Sequence, residues 1–282
     1  MAHLSQVSVS EQVPQNAYKS NYGRGDVFAS HTPSRTDPIV YSMSPTTWLV
    51  TGANRGIGLE LVRQLAAVPT NLVVATCRTP EKATALTALK TSAKGALHVV
   101  QLDVSDFDSV RALPPKLAPI LGETGLDYLV SNAGIAVIDS AFTLDPDALL
   151  DVVRTNAAGP TLLAQVLLPL LERARTRKIL HVSSTSGSMG SVAGMGNRVH
   201  RLVASYAVSK AALNMLAYKQ KVEKPEFTVI TLCPGWVQTD MGGENAVLTP
   251  EESVAGIIRV ITDATTADSG KYLRHNGEEI PW

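Results

Sequence analysis

From Pro45 onward the chain alternates short apolar runs with longer stretches of helical period, and that alternation leaves few folds open to it. Runs that are apolar at nearly every position read as strands buried on both faces, the condition of a parallel sheet whose crossover helices cover both sides. The runs lie at 48–51, 72–77, 97–102, 128–131, 179–183, 228–233 and 271–273. Between them the periodicity predicts helices near 57–67, 81–93, 106–121, 145–172, 205–223 and 250–262. The third holds Pro114, Pro115 and Pro119. Each proline lacks an N–H and crowds the preceding turn, so the reading there is one short helix followed by an irregular segment. Seven strands predict a single doubly wound α/β domain over 45–282, a Rossmann-type seven-stranded parallel sheet with helices on both faces.

Residues 1–44 are of a different kind. They are rich in Ser, Gln, Asn, Pro and Gly, and their isolated apolar residues follow no period, which reads as a flexible N-terminal extension. Glu11, Asp26 and Asp37 argue against a mitochondrial transit peptide, which is Arg-rich and poor in acids. The longest apolar stretch, 157–171, is interrupted by Pro160 and Gln165 and falls short of the roughly 20 residues that span a bilayer.

Charge and cysteine usage narrow the function classes. Twenty-five Lys plus Arg balance twenty-five Asp plus Glu, and no clustered basic face is evident, so neither nucleic acid nor a membrane is expected as a partner. Cys77 and Cys233 each close an apolar run with no CxxC or Cys/His spacing, and read as reduced, buried thiols of a soluble cytoplasmic protein. The six histidines form no HxH or HExxH group, so no metal site is expected, and His181, inside a strand, reads as a hydrogen-bonded core residue.

Two stretches carry chemistry. Thr51-Gly52-Ala53-Asn54-Arg55-Gly56-Ile57-Gly58 follows the first strand and opens a helix. Glycines there allow a tight turn and close approach of backbone to a pyrophosphate, and the helix N-terminus offers amide donors. The spacing is G-x-x-x-G-x-G and not the commoner G-x-G-x-x-G, so an ordinary turn stays open beside a dinucleotide site. In Tyr206-Ala207-Val208-Ser209-Lys210 a four-residue step puts the phenol and the ammonium on one helix face. A cation there lowers a phenol's pKa toward the working range of an acid or base; a solvated helix face is the alternative. Three strand ends add Asn132-Ala133-Gly134, Ser183-Ser184 and Pro234-Gly235. Turn chemistry accounts for each separately, but in a parallel sheet all gather on the carboxyl edge, where ligands bind.

In these motifs, taken in order over 46–282, the chain resembles the short-chain dehydrogenase/reductase family. The resemblance implies a cofactor loop of Gly52, Asn54, Arg55, Gly56 and Ile57, adenine contacts at Asp103 and Val104, and a sheet-stabilising turn at Asn132, Ala133 and Gly134. It assigns a nicotinamide-side loop to Pro234, Gly235, Val237 and Thr239. It implies Asn156, Ser184, Tyr206 and Lys210 as the catalytic set. Tyr206 would move the proton, Ser184 bond the substrate oxygen, Lys210 lower the Tyr206 pKa and hold the nicotinamide ribose, and Asn156 hold a water linking Lys210 to solvent. Tyr206 and Lys210 thus also count as cofactor contacts. Within the family, 234–243 and the Ile280-Pro281-Trp282 ending are similar to the carbonyl-reductase group of sniffer-like and C-factor-like proteins, and to fungal norsolorinic acid ketoreductases.

The implied function is hydride transfer from NADP(H) to a small-molecule ketone or quinone. Arg78 follows the second strand, where NAD-specific folds place an acid on the ribose, and Arg55 adds a second cation. A cofactor-binding regulatory protein without turnover and an imine reductase are the alternatives; retention of the catalytic set disfavours the first. The resemblance further implies homodimerisation through the helices at 145–172 and 205–223. Ser184 and Tyr206 stand farther apart than is usual in the family, which predicts an extra loop over 189–204. Its Met189, Val192, Met195, Val199, Leu202 and Val203, with Trp236, Val237 and Met241, are expected to form a pliable apolar pocket wall, and Arg198, His200 and Arg201 to be solvated.

Overall fold

A computed structural model of the chain describes residues 44–192, 194 and 202–282. The predicted extension over 1–44, Ser44 excepted, lies outside the described residues, as do Met195, Arg198, Val199, His200 and Arg201 of the predicted insertion.

In chain order the elements are β1 (Thr46–Thr51), α1 (Gly56–Ala66), β2 (Asn71–Cys77), α2 (Thr84–Ser92), β3 (Ala96–Gln101), α3 (Phe107–Arg111), α4 (Leu113–Leu121), β4 (Tyr128–Ser131), α5 (Pro146–Val153), a π-turn (Arg154–Ala158), α6 (Gly159–Val166), α7 (Leu168–Arg173), β5 (Lys178–Val182), α8 (Met189–Val192), α9 (Ala204–Glu223), β6 (Thr228–Cys233), α10 (Pro250–Asp263) and β7 (Tyr272–Arg274). The sheet runs β3-β2-β1-β4-β5-β6-β7, and every pairing is parallel. This is the seven-stranded doubly wound sheet expected, with strand ends moved by one or two residues. The order reverses between β1 and β4, so their carboxyl ends diverge into a crevice.

Alternation along the strands builds two cores. Trp48 and Val50 of β1 face Leu61 and Leu65 of α1 and Ile257 and Ile261 of α10. Leu49 between them faces the opposite layer, with Leu113 and Leu117 of α4, Leu163 of α6 and Phe227. With both faces apolar, a strand reads as an unbroken hydrophobic run.

Helix ends depart from expectation where prolines stand. The segment after α3 is not irregular: Pro114 and Pro115 occupy the first turn of α4, where a missing N–H costs nothing, and Pro119 lies on its exposed side. Leu113, Leu117 and Leu121, all buried, hold that helix down. The long helix predicted over 145–172 is divided into α5, the π-turn, α6 and α7, with Pro160 and Pro169 in the first turns of α6 and α7. The stretch 81–93 begins with a separate 3-10 turn, Pro80–Lys82. The 189–204 segment is not all loop, since it opens with α8.

Candidate active site

The crevice above β1 and β4 is a cleft of about 980 Å³. Every residue assigned above to cofactor or catalysis lines it except Asn156.

Its floor is the turn after β1. Gly52 has φ +65° and a Cβ there would lie 2.9 Å from the Ala133 Cα; a Cβ at Gly58 would lie 2.2 Å from the Gly52 carbonyl oxygen. The first is a backbone conformation that L side chains avoid, and both positions leave no room for one. Asn132 fastens this turn to β4: its Nδ2 donates to the Thr51 carbonyl (2.8 Å), while the N–H groups of Asn132 and Ala133 donate to Thr51 Oγ1 (both 3.0 Å). Helix α1 starts at the cleft with no side chain capping its first amides, which leaves them for a ligand's phosphate. Arg78, exposed just beyond β2, borders the same end. Arg55, the second cation expected here, pairs with Asp240 at 2.9 Å across the cleft mouth, both side chains exposed. Asp103 is held by Ser105, whose N–H and hydroxyl donate to its Oδ1 (2.9 and 2.6 Å). The glycine cradle, open helix amides and edge arginine fit a dinucleotide with an extra phosphate on its ribose.

The catalytic candidates meet at the other end. Ser184 follows β5, and its Oγ accepts the Ser186 N–H (3.2 Å), which leaves the hydroxyl proton to be donated elsewhere. Helix α9 brings Tyr206 and Lys210 to the cleft wall, with the ammonium 5.5 Å from the phenol ring centroid. Lys210 Nζ donates to the Val182 carbonyl (2.8 Å) and keeps two further protons for other partners. The start of α9 is fixed from another loop: Asp139 accepts the Ser205 N–H at 3.1 Å and the Ser205 hydroxyl on its second oxygen. Val203, the N-cap residue, has no side-chain oxygen to do this itself.

Burial decides the protonation of this pair. It pushes the Tyr206 phenol up to about 12, with the Ser184 hydrogen bond pulling the other way and Cys233 adding to the rise. It lowers the Lys210 ammonium to about 8, against a small opposing effect of Cys233. The Tyr206 phenol is thus not brought toward neutrality as expected: the water that burial removes from around the phenolate sets the direction of its shift.

Asn156 sits behind the wall, fully buried in the π-turn. Its Oδ1 accepts the Ile135 N–H (2.8 Å), and its Nδ2 donates to the Ile135 carbonyl (2.8 Å) and Ser209 Oγ (2.9 Å). The side chain is thus consumed in holding the loop after β4 against α9. Its backbone carbonyl is another matter: residue 160, four places on, is proline and has no N–H to give it.

Sequence reasoning missed Ser209, which donates to the Tyr206 carbonyl (2.7 Å) and accepts from Asn156, although its place one residue before Lys210 was a usable signal. It also missed Tyr272 and Asn214, for which no motif exists. The apolar wall is only partly as expected. Val203, Trp236, Val237 and Met241 line the cleft, whereas Met189, Val192 and Leu202 do not and are exposed. Turned outward on α8 and beside the insertion, they are replaced in the lining by Thr185, Ser186 and Arg274. His181 is a core residue as expected, with Nε2 2.8 Å from Gln220 Oε1.

A family model described as short chain dehydrogenase matches residues 46–247. The norsolorinic acid ketoreductase of Aspergillus parasiticus is 32% identical over 264 residues, covering 89% of this chain and 95% of that protein. The structure of the carbonyl reductase Sniffer of D. melanogaster superposes with a TM-score of 0.77 at 30% identity, covering 84% of this chain and 100% of that one. The NADPH-bound carbonyl reductase from chicken fatty liver gives a TM-score of 0.77 at 34% identity, covering 85% and 100%.

Proposed function

Because the chain belongs to the short chain dehydrogenase family, we propose that it reduces the carbonyl of a neutral apolar or aromatic ketone or quinone, with Tyr206 as proton donor. It is an NADP-dependent reductase of that family and acts on small molecules. NADPH, when bound, supplies the hydride; the chain's own residues bind, orient and move the proton. Gly52, Gly56 and Gly58 would let a pyrophosphate approach the α1 amides, and Arg78 would hold the ribose phosphate.

The observation that carries the reading is the meeting of Ser184, Tyr206 and Lys210 at one wall of the cleft that holds the glycine cradle. Reduction needs an acid at the carbonyl oxygen, and a phenol held up to about 12 is protonated at neutral pH. The Ser184 hydroxyl, within hydrogen-bond reach of Tyr206, donates to the same substrate oxygen as charge develops on it. Lys210 stabilises the phenolate left behind and, with its pKa near 8, returns a proton by way of a water on the Asn156 carbonyl. The lining by Val203, Trp236, Val237 and Met241 favours a substrate of low polarity.

The same proposal places the protein in the cytoplasm, where two buried, unpaired thiols persist. It also makes it a homodimer: Val208, Met215 and Val222 form an exposed stripe at seven-residue spacing along α9. Light scattering should then give twice the 30.0 kDa chain mass, and Met215→Lys should yield the monomer.

Tyr206→Phe tests the chemistry. Turnover of aromatic ketones should fall about 10²–10⁴-fold while NADPH binding, followed by fluorescence, stays near wild type. Retention of more than a few per cent of the activity would place the acid elsewhere.

A further inference from the structure

Ser184 has few anchors for a residue that must hold a hydroxyl in register with Tyr206. Its neighbours reach β6, Ser183 N–H donating to the Leu232 carbonyl (2.7 Å) and Thr185 N–H to Cys233 Sγ (3.4 Å), a weak acceptor. Its own carbonyl accepts Gly187 N–H from within the same turn (2.8 Å) and the Tyr272 hydroxyl from β7. Among the described residues, Tyr272 is thus the contact that ties the Ser184 carbonyl to another strand.

Tyr272 is fully buried, and residues 280–282 fix it in place. Ile280 N–H donates to its carbonyl (2.7 Å), and Trp282 stacks on its ring with centroids 5.2 Å apart and 27° between planes. Trp282 also meets Tyr218 of α9 edge-on at 6.0 Å. The same tail grips the chain beyond Ser184. Gly190 N–H donates to the Trp282 carbonyl (2.9 Å), Ser188 Oγ donates to the Pro281 carbonyl, and a Cβ at Gly190 would lie 3.0 Å from Pro281. Asn214 of α9 accepts Ser183 Oγ (2.6 Å) and donates to the Gly187 carbonyl (3.2 Å), and both Asn214 and Ser183 lie within hydrogen-bond reach of the Tyr272 hydroxyl, so the same hydroxyl steadies both ends of the Ser184 turn.

We propose that Tyr272, seated by Trp282, is a positioning residue for Ser184, so that β7 and residues 280–282 set the alignment of the serine hydroxyl with Tyr206. The proposal rests on the reading of Ser184 and Tyr206 given above. A group acting only on that alignment affects the reacting complex and leaves the cofactor cradle alone, and a misplacement of about 1 Å costs on the order of a hundredfold.

The experiment compares full-length wild type, Tyr206→Phe, Tyr272→Phe, Trp282→Ala and Trp282→Phe. Each is measured for NADPH affinity, for kcat and KM with NADPH and menadione, and for hydrogen exchange of the 184–192 peptide. Tyr272→Phe keeps the ring and deletes the hydroxyl. It should lower kcat about tenfold with NADPH affinity and KM within about twofold of wild type, and speed exchange at 184–192. Trp282→Ala should do the same, and Trp282→Phe, which keeps a stacking ring, should restore most of the rate. A Tyr272→Phe kcat within about twofold of wild type, or a fall matched by lost NADPH affinity, overturns the proposal. Activity surviving in Tyr206→Phe defeats the catalytic reading itself, whereas an inactive Tyr206→Phe beside a normal Tyr272→Phe defeats only the positioning. If menadione is not reduced even by wild type, hydrogen exchange decides, and unchanged protection of 184–192 in Tyr272→Phe overturns the proposal.

Discussion

Arg78 and Arg55 are both guanidinium groups at the mouth of one cleft, and their partners set them apart. Arg55 already has Asp240 at 2.9 Å, so exchanging it for the cofactor's phosphate gains little. Arg78 forms no ion pair among the described residues, and it is the guanidinium we propose for the phosphate. Arg78→Ala should weaken NADPH binding by about 1.5–3 kcal/mol, roughly ten- to a hundredfold, and leave NADH nearly unchanged. Titration of both cofactors checks it; equal losses would mean that Arg78 does not read the phosphate. At this scale the sequence was most legible where a residue type is irreplaceable. The glycines that admit no Cβ, the Tyr206 and Lys210 pair and the strand-end Ser184 announce themselves by identity and spacing. The ionisation of Tyr206 did not, because spacing reports the nearby ammonium but not the water that burial removes.

At the scale of elements, α9 carries Tyr206 and Lys210, and its first turn hangs on one carboxylate from the loop after β4. Asp139→Ala removes a cap of about 1 kcal/mol and frees the turn that carries Tyr206, so the melting temperature and kcat should fall together. Asp139→Asn retains an oxygen for the Ser205 N–H and should lose less of both. If Asp139→Ala alters neither, the cap is dispensable. The strands were legible because helices cover both faces of the sheet and leave no polar side to interrupt the apolar runs. The helices were less so, since a proline reads alike in a first turn, as at Pro114, and in a helix interior, as at Pro119. Which case holds depends on which side meets solvent. Tyr272 was invisible for a related reason: one tyrosine in a three-residue strand carries no pattern until the fold lays it under Ser184.

For the whole molecule, the buried imidazole of His181 links stability to pH. Burial lowers its pKa from 6.5 to about 4, with the Gln220 hydrogen bond opposing and the Lys210 charge assisting. Between those values the unfolded chain takes up a proton that the folded one refuses. Stability is therefore full above pH 6.5 and declines as pH falls toward 4, by on the order of 3 kcal/mol from this group. Urea unfolding at pH 7 and pH 5 should show the decline, and His181→Gln should flatten it; an equal slope in the variant would assign the loss to other groups. The sheet order has a kinetic consequence as well. Trp48 meets Val73 on one side but Tyr128 on the other, across the longest separation of any strand pair. Closing that loop carries the largest chain-entropy cost of the strand pairings, and the cofactor crevice exists only once it has closed. In refolding, recovery of helix should precede recovery of NADPH binding, and NADPH, bound only by the closed form, should hold the two halves of the chain together against heat.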